Sequence, residues 1–334
     1  MLPKIIATLG PSSYKKKVIK ELVKTGVYLF RINLSHTKTK DLEKIIKYLK
    51  KNGIKNICID TEGAQIRTTM VQKKSKIQKN QIVKIFCGNK NSNNKEIYLY
   101  PNFDLSNIKI GKEIKIGFDE LVMKILKFQK DKKFLICKVI NSGILDSNKG
   151  VHIDIDTKLN YLTSKDLECI GIAKKNKIKF FALSFTNYPS DVVNLRNILD
   201  RNSTIISKIE TRKAIRNLDT ITKQSNAILI DRGDLSRYIS LDKIPYAQEY
   251  IINVAKKLKK PVYIATNLLE TMIQNSSPTR AECNDIYNAL NQGASALVLA
   301  AETAIGKNPL NTILFLKKSI ATFNVYKKKK INFN

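Results

Sequence analysis

Short apolar blocks recur along this chain, separated by polar, lysine-rich stretches. "PKIIATL" opens the series, with a polar helical stretch from about Ser13 behind it. "VYLFRIN" leads into the helical "TKDLEKIIKYLKK", and "IKNICID" comes third. From about residue 65 to 155 the pattern changes to short alternating runs, "QIVKIFC", "EIYLY", "EIKIGF" and "FLICKVI", punctuated by Asn, Gly, Lys and Asp. No strong helix interrupts them, which predicts a small all-β domain at 65–155, inserted after strand three. The alternation then resumes, with the strands "IKFFALSF", "TIISKIE", "AILIDR", "PVYIAT" and "ALVLA". The helices among them are "SKDLECIGIAKKN", "SDVVNLRNILD", "TRKAIRNLDTIT", "AQEYIINVAKKLK", "RAECNDIYNALNQ" and a last one from about Pro309 to Val325.

Eight apolar strands, each followed by a helix, mean parallel pairing and an α/β fold. Residues 1–64 and 156–334 together have the length of a (β/α)8 TIM barrel, about 250 residues. A doubly wound open sheet is the alternative.

Composition narrows the class. The net charge of +32 comes from 60 Lys+Arg against 28 Asp+Glu. The lysines are spread along the chain with Asn and Ile, and no RNP-like or finger motif accompanies them, so no specific nucleic-acid partner is expected. Low-salt binding through the tail "YKKKKINFN" would be incidental. No apolar run is long enough for a membrane span, and the start does not read as a signal peptide. Five scattered cysteines without CxxC spacing read as reduced thiols of a cytoplasmic protein.

Barrel enzymes carry their chemistry at the carboxyl ends of the strands. Strand two ends with Arg31, Asn33, Ser35 and His36. Strand three ends with Asp60 and Thr61, and Arg67 follows. Strand four ends with Ser184, strand five with Lys208 and Glu210, and strand six with Arg232, Gly233 and Asp234. Strand seven ends with Thr266, and strand eight runs into Glu302. Charges converging on a closed ring are costly unless they bind something or one another. Glu210 and Asp234, from neighbouring strands, form a hard-oxygen pair suited to magnesium. Lys208 and Arg31 beside such a site suggest an anionic, phosphorylated substrate and phosphoryl transfer. A plain Lys208–Glu210 salt bridge at the barrel mouth is the simpler alternative. The chain has no Walker loop, G-x-G-x-x-G, HExxH or G-x-S-x-G, and with only His36 and His152 no His-rich metal site.

The motifs "KIIATLGPSS", "FRINLSH", "IDTEGAQIRT", "IISKIET", "RGDL", "PVYIATNLLETM", "PTRAECNDIYNA" and "ETAIGKNP" together resemble the pyruvate kinase family over nearly the whole chain. The resemblance implies phosphoryl transfer from phosphoenolpyruvate to ADP, giving pyruvate and ATP at the last step of glycolysis. It implies Mg2+ or Mn2+ held by Glu210 and Asp234, and Lys208 stabilising the transferred group. Arg31 would contact phosphate, with His36 near the nucleotide. Arg67 and Lys165 would reach phosphates from the side of the insert, which would close as a lid. Asn33, Ser35, Asp60 and Thr61 would hold K+. The N–H groups of Gly233 and Asp234 would receive the substrate carboxylate, and Thr266 would serve the proton relay.

Some positions depart from the family pattern. Gln65 stands where the family has an acid associated with potassium use, which leaves potassium dependence open. Ala64 replaces a proline at the hinge, and Asp119-Glu120 lacks the glycine that usually follows. Ala300-Ala301 stands for Ser-Gly, and Ser236 for Gly. The chain stops after the last barrel helix, so no C-terminal regulatory domain and no effector site are expected. A homodimer through the barrel helices fits this reading and a tetramer does not. A degenerate homologue acting as a binding protein is the main competitor. Another phosphoenolpyruvate- or pyruvate-using barrel enzyme, a lyase or aldolase, is a further one.

Overall fold

Eight strands of this chain close into an all-parallel barrel: Lys4–Thr8, Leu29–Asn33, Ile57–Asp60, Phe180–Leu183, Thr204–Ile209, Ala227–Asp231, Val262–Ala265 and Ala296–Leu299. The first strand pairs with the last, Lys4 opposite Ala296, so the sheet has no edge and the open-sheet alternative falls. The structure is a computed structural model that describes residues 2–63, 65–106, 108–117, 121–153 and 159–328. Ala64, Asp119, Glu120 and the tail from residue 329 lie outside the described residues. Two compact units divide the chain, Met1–Gly63 with Tyr161–Asn334, and Ala64–Asn160.

The barrel strands are buried on both faces, as their near-continuous apolar runs require. Their outward side chains pack against the helices in one large core, with Ile19, Leu22, Ile46 and Leu49 fully buried there. Burying each such side chain contributes about 1.5–3 kcal/mol. Their inward side chains form a separate cluster of Ile6, Leu29, Cys58, Ala182, Ile206, Ala227, Leu229, Tyr263, Ala265, Ala296 and Val298. A strand repeats its facing every two residues. Two residues on from this apolar floor, the same alternation delivers Thr8, Arg31, Asp60, Ser184, Lys208 and Asp231.

Helix starts follow their caps. Thr163 accepts from the Asp166 N–H while Asp166 accepts from the Thr163 N–H, opening Ser164–Lys175. Thr279 and Glu282 do the same for Arg280–Gln292. The single helix expected at "TRKAIRNLDTIT" is two, Arg212–Arg216 and Leu218–Gln224. Asn217 lies between them, and its side-chain N–H donates to the Asn187 carbonyl at 2.7 Å. That bond fixes the residue where the helix axis changes.

The second unit holds a closed seven-stranded barrel: Ile66–Thr68, Ile82–Cys87, Glu96–Tyr100, Glu113–Ile116, Leu121–Gln129, Phe134–Asn141 and Gly150–Ile153. A two-stranded ribbon, Ser75–Ile77 with Gly143–Leu145, accompanies it. Its strands alternate buried and half-buried or exposed positions, as Glu96–Tyr100 and the start of Ile82–Cys87 illustrate, and the inward side chains form its apolar cluster. Among the described residues, no helix is long and apolar enough to cross a membrane.

Candidate active site

Above the apolar floor of the large barrel lies a ring of charge. Lys208, 5% exposed, sits at its centre. Its Nζ is 2.8 Å from Glu210 Oε1, 3.2 Å from Asp231 Oδ2 and 3.6 Å from Asp60 Oδ1, and it donates to Ser184 Oγ at 3.2 Å. Arg31 adds a second cation: its Nη1 is 3.1 Å from Asp60 Oδ2 and its Nε donates to Thr8 Oγ1 at 2.8 Å. Thr8 Oγ1 in turn donates a hydrogen bond to the Leu299 carbonyl, also at 2.8 Å. Ser184 Oγ donates to Asp60 Oδ1 at 3.1 Å, and the Phe185 N–H donates to Glu210 Oε2. Side chains from six of the eight strands or their carboxyl ends thus meet in one hydrogen-bonded ring.

The electrostatics follow from burial and company. Burial by itself would lower the Lys208 pKa, but Asp60, Glu210 and Asp231 outweigh it and hold it well above the ordinary lysine value. Lys208 is therefore a cation across the physiological range. Glu210 is pushed up to about 8 by burial, with Asp234 and Asp231 adding to the rise and Lys208 opposing it. For Asp231 burial works upward, yet Lys208, the Thr266 hydroxyl and Arg31 hold it down at about 2.

Glu210, Asp231 and Asp234 bring one oxygen each within 4.8 Å of one another. Glu210 Oε1 is fully buried and receives no aligned hydrogen bond, although Lys208 Nζ stands close by. Three converging hard-oxygen ligands suit a magnesium- or manganese-sized cation. Asp231 escaped the reading of strand ends residue by residue. The signal was in the sequence: Ala227 and Leu229 face inward, so Asp231 must as well.

Thr266 begins the turn after the seventh strand with φ +77°, and Asn267 follows at +56°. A β-branched residue in the left-handed region is strained, at about 1–3 kcal/mol. Its hydroxyl donates to Asp231 Oδ1 at 2.6 Å. Gly233 lies against it: a Cβ there would come within 2.7 Å of Thr266 Cγ2, so only glycine fits. Arg232 points away from the ring, with Nε and Nη2 on the Thr266 carbonyl at 3.2 and 2.6 Å and Nη1 on Asp285 Oδ1 at 2.7 Å.

Other expected residues sit at varying distance from this centre. Asn33 Oδ1 accepts from the Ser35 N–H at 2.9 Å, capping the turn Leu34–His36, where His36 is exposed. Thr61 Oγ1 accepts from the Ser184 N–H at 3.0 Å. Lys165 Nζ donates to the Leu34 carbonyl at 2.6 Å and pairs with Glu62 at 2.9 Å. Beside it Asp166, not singled out in the sequence, takes the N–H groups of Glu62 and Gly63 at 2.8 and 3.1 Å and so fixes the segment after the third strand. Glu302 turns from the ring to accept the Leu269 and Ala300 N–H groups. Arg67 belongs to the second unit, where its Nη1 donates to the Asn148 carbonyl at 3.2 Å.

A family model described as "Pyruvate kinase, barrel domain" matches residues 2–313. The curated pyruvate kinase of Thermotoga maritima is 35% identical over 329 residues, covering 94% of this chain and 69% of that protein. That of Borreliella burgdorferi is 34% identical over 318 residues, covering 93% and 66%. A pyruvate kinase of Staphylococcus aureus is 32% identical over 326 residues, covering 92% and 54%. The chain thus spans between about half and about two thirds of the length of these relatives.

Proposed function

The chain belongs to the pyruvate kinase family, and from that premise we propose that it transfers the phosphoryl group of phosphoenolpyruvate to ADP. The phosphorus–oxygen bond to the enol breaks and one to the terminal ADP oxygen forms. The enolate left behind takes a proton to become pyruvate. The observation that carries this reading is the buried Lys208 among carboxylates at the ends of strands five and six, in a chain of this family.

Phosphoryl transfer is mostly positioning and charge stabilisation. Lys208 Nζ, already fixed by its carboxylate and hydroxyl neighbours, meets the developing negative charge without having to reorganise. Arg31, held by Asp60 and Thr8, presents a second cation to phosphate oxygens. Glu210 and Asp234, with Asp231 beside them, would hold magnesium or manganese, which when bound supplies positive charge against the phosphoryl oxygens. Backbone N–H groups of Gly233 and Asp234 receive the substrate carboxylate. Thr266 Oγ1, oriented by Asp231, serves the protonation of the enolate carbon. Potassium, if used, falls to Asn33, Ser35, Asp60 and Thr61. Such an enzyme would work in the cytoplasm.

The test is ATP formation by the purified chain from phosphoenolpyruvate and ADP with magnesium, with and without potassium. Turnover that Lys208→Met abolishes, while Mn2+ still binds, is the expected result. A folded chain with no turnover in either cation condition overturns the reading and leaves a binding protein with this fold.

A further inference from the structure

Three consecutive residues each fix a different part of Thr266. Asp231 takes its hydroxyl at 2.6 Å. Arg232 takes its carbonyl through two N–H groups, at 3.2 and 2.6 Å. Gly233 leaves room for its methyl, where any Cβ would stand 2.7 Å away. A strained backbone persists only where its surroundings over-determine it, and here hydroxyl, carbonyl and methyl are all constrained.

Arg232 opens the helical turn Arg232–Leu235 just after the strand, and its guanidinium bonds the Thr266 carbonyl and Asp285 in place of the ring where phosphate would sit. Its guanidinium is instead tied to the outer layer. Nη1 pairs with Asp285 at 2.7 Å, on the helix Arg280–Gln292. The same nitrogen reaches Gln248 Oε1 at 3.4 Å, and Gln248 donates to Gln292 at 2.7 Å. A planar fork with several donors is the group that can hold a carbonyl and a carboxylate at once in fixed geometry. Lysine in its place would offer one nitrogen to both.

We propose that Arg232 is a positioning residue: anchored by Asp285, it holds the Thr266 backbone in the left-handed conformation and so sets the Thr266 hydroxyl on Asp231. Its kinetic readout rests on the reaction assigned above. Misplacing a reacting group by about an ångström costs up to roughly 100-fold in rate. Arg232→Gln should therefore lower kcat about 10- to 100-fold, with the KM values and the Mn2+ dissociation constant changed little. A merely structural ion pair would lower the melting temperature and leave kcat alone.

The decisive experiment is a double-mutant cycle. If Arg232 acts through Thr266, Arg232→Gln costs nothing further in a Thr266→Ala background. Losses that add in full, or an unchanged kcat in the single variant, overturn the proposal. Asp285→Asn gives a smaller loss in the same direction and replaces Arg232→Gln if that variant fails to fold. Should the wild type show no turnover, the assigned reaction fails while the positioning claim is decided by crystallography. In Arg232→Gln or Asp285→Asn the Thr266 φ should leave the left-handed region and its hydroxyl should part from Asp231; an unmoved Thr266 overturns the proposal.

Discussion

Both units of this chain close a barrel, yet along their strands the same two-residue alternation ends differently. In the inserted unit it runs from Val83 to Ile85, from Ile97 to Leu99 and from Leu135 through Cys137 to Val139, apolar throughout. In the large barrel it runs from Leu29 to Arg31, from Cys58 to Asp60 and from Ile206 through Lys208 to Glu210. The reason lies outside the strands. The large barrel has its main apolar layer between strands and helices, so half of its interior can be given to charge. Among its described residues the small barrel has no helix, and its inward side chains form its apolar cluster. Chemistry inside a barrel therefore depends on stability being supplied from outside it.

The sharpest way to break this comparison is to remove the charge that balances the ring. Lys208→Met leaves buried carboxylates without their cation, and losing one partner of such a set costs about 3–5 kcal/mol. The expected outcome is a lower melting temperature that added Mg2+ restores in part, measured by calorimetry with and without the ion. A Lys208→Met chain as stable as wild type in the absence of any divalent ion would mean the ring is not balanced by this residue.

Truncating the small barrel's core should do the converse. Ile85→Ala is expected to cost about 2–4 kcal/mol through lost burial and a cavity, while the Mn2+ dissociation constant stays as it was. Equilibrium denaturation and a Mn2+ titration on the same sample check both halves. A changed ion affinity would mean the two interiors are not independent.

The smallest effect concerns the cap of the helix that carries Asp285. Burial raises the Glu282 pKa, but hydrogen bonds from Thr271 and Thr279 outweigh it and leave it below the ordinary 4.5. A depressed folded value means stability that is present above 4.5 and lost as pH falls through the folded pKa. Glu282→Gln should cost about 1 kcal/mol near neutrality, the usual worth of a cap, and flatten the acid limb of the stability curve. Parallel acid limbs in the two proteins would show that the carboxylate contributes nothing there.

The eight strands were legible because a buried parallel strand announces itself as a short apolar run. Arg31, Asp60, Lys208 and Glu210 were legible because they interrupt such runs at their carboxyl ends. Asp231 was hidden by its neighbours: "DRGD" offers four candidates, and only counting parity back from Ala227 singles out Asp231 as inward. Glu302 looked like a fourth acid of the ring, but its carboxylate is used up on the backbone N–H groups of Leu269 and Ala300. No pattern along one segment reports such a partner. The break at Asn217 was unreadable for the same reason, since Asn187 holds it from another turn of the fold.

The hydrogen bonds from Thr8 to the Leu299 carbonyl and from Thr303 to the Thr8 carbonyl join points 291 and 295 residues apart. Thr8 also holds Arg31, so the first half of the ring is completed by the last strand. A ribosome extends a chain at roughly 5–20 residues per second. Between the emergence of Asp60 and that of Leu299, tens of seconds would then pass with Arg31 and Asp60 already made and their seam unclosed. The charged ring is thus assembled after translation of nearly the whole barrel, and a nascent chain carries its charges in water until then.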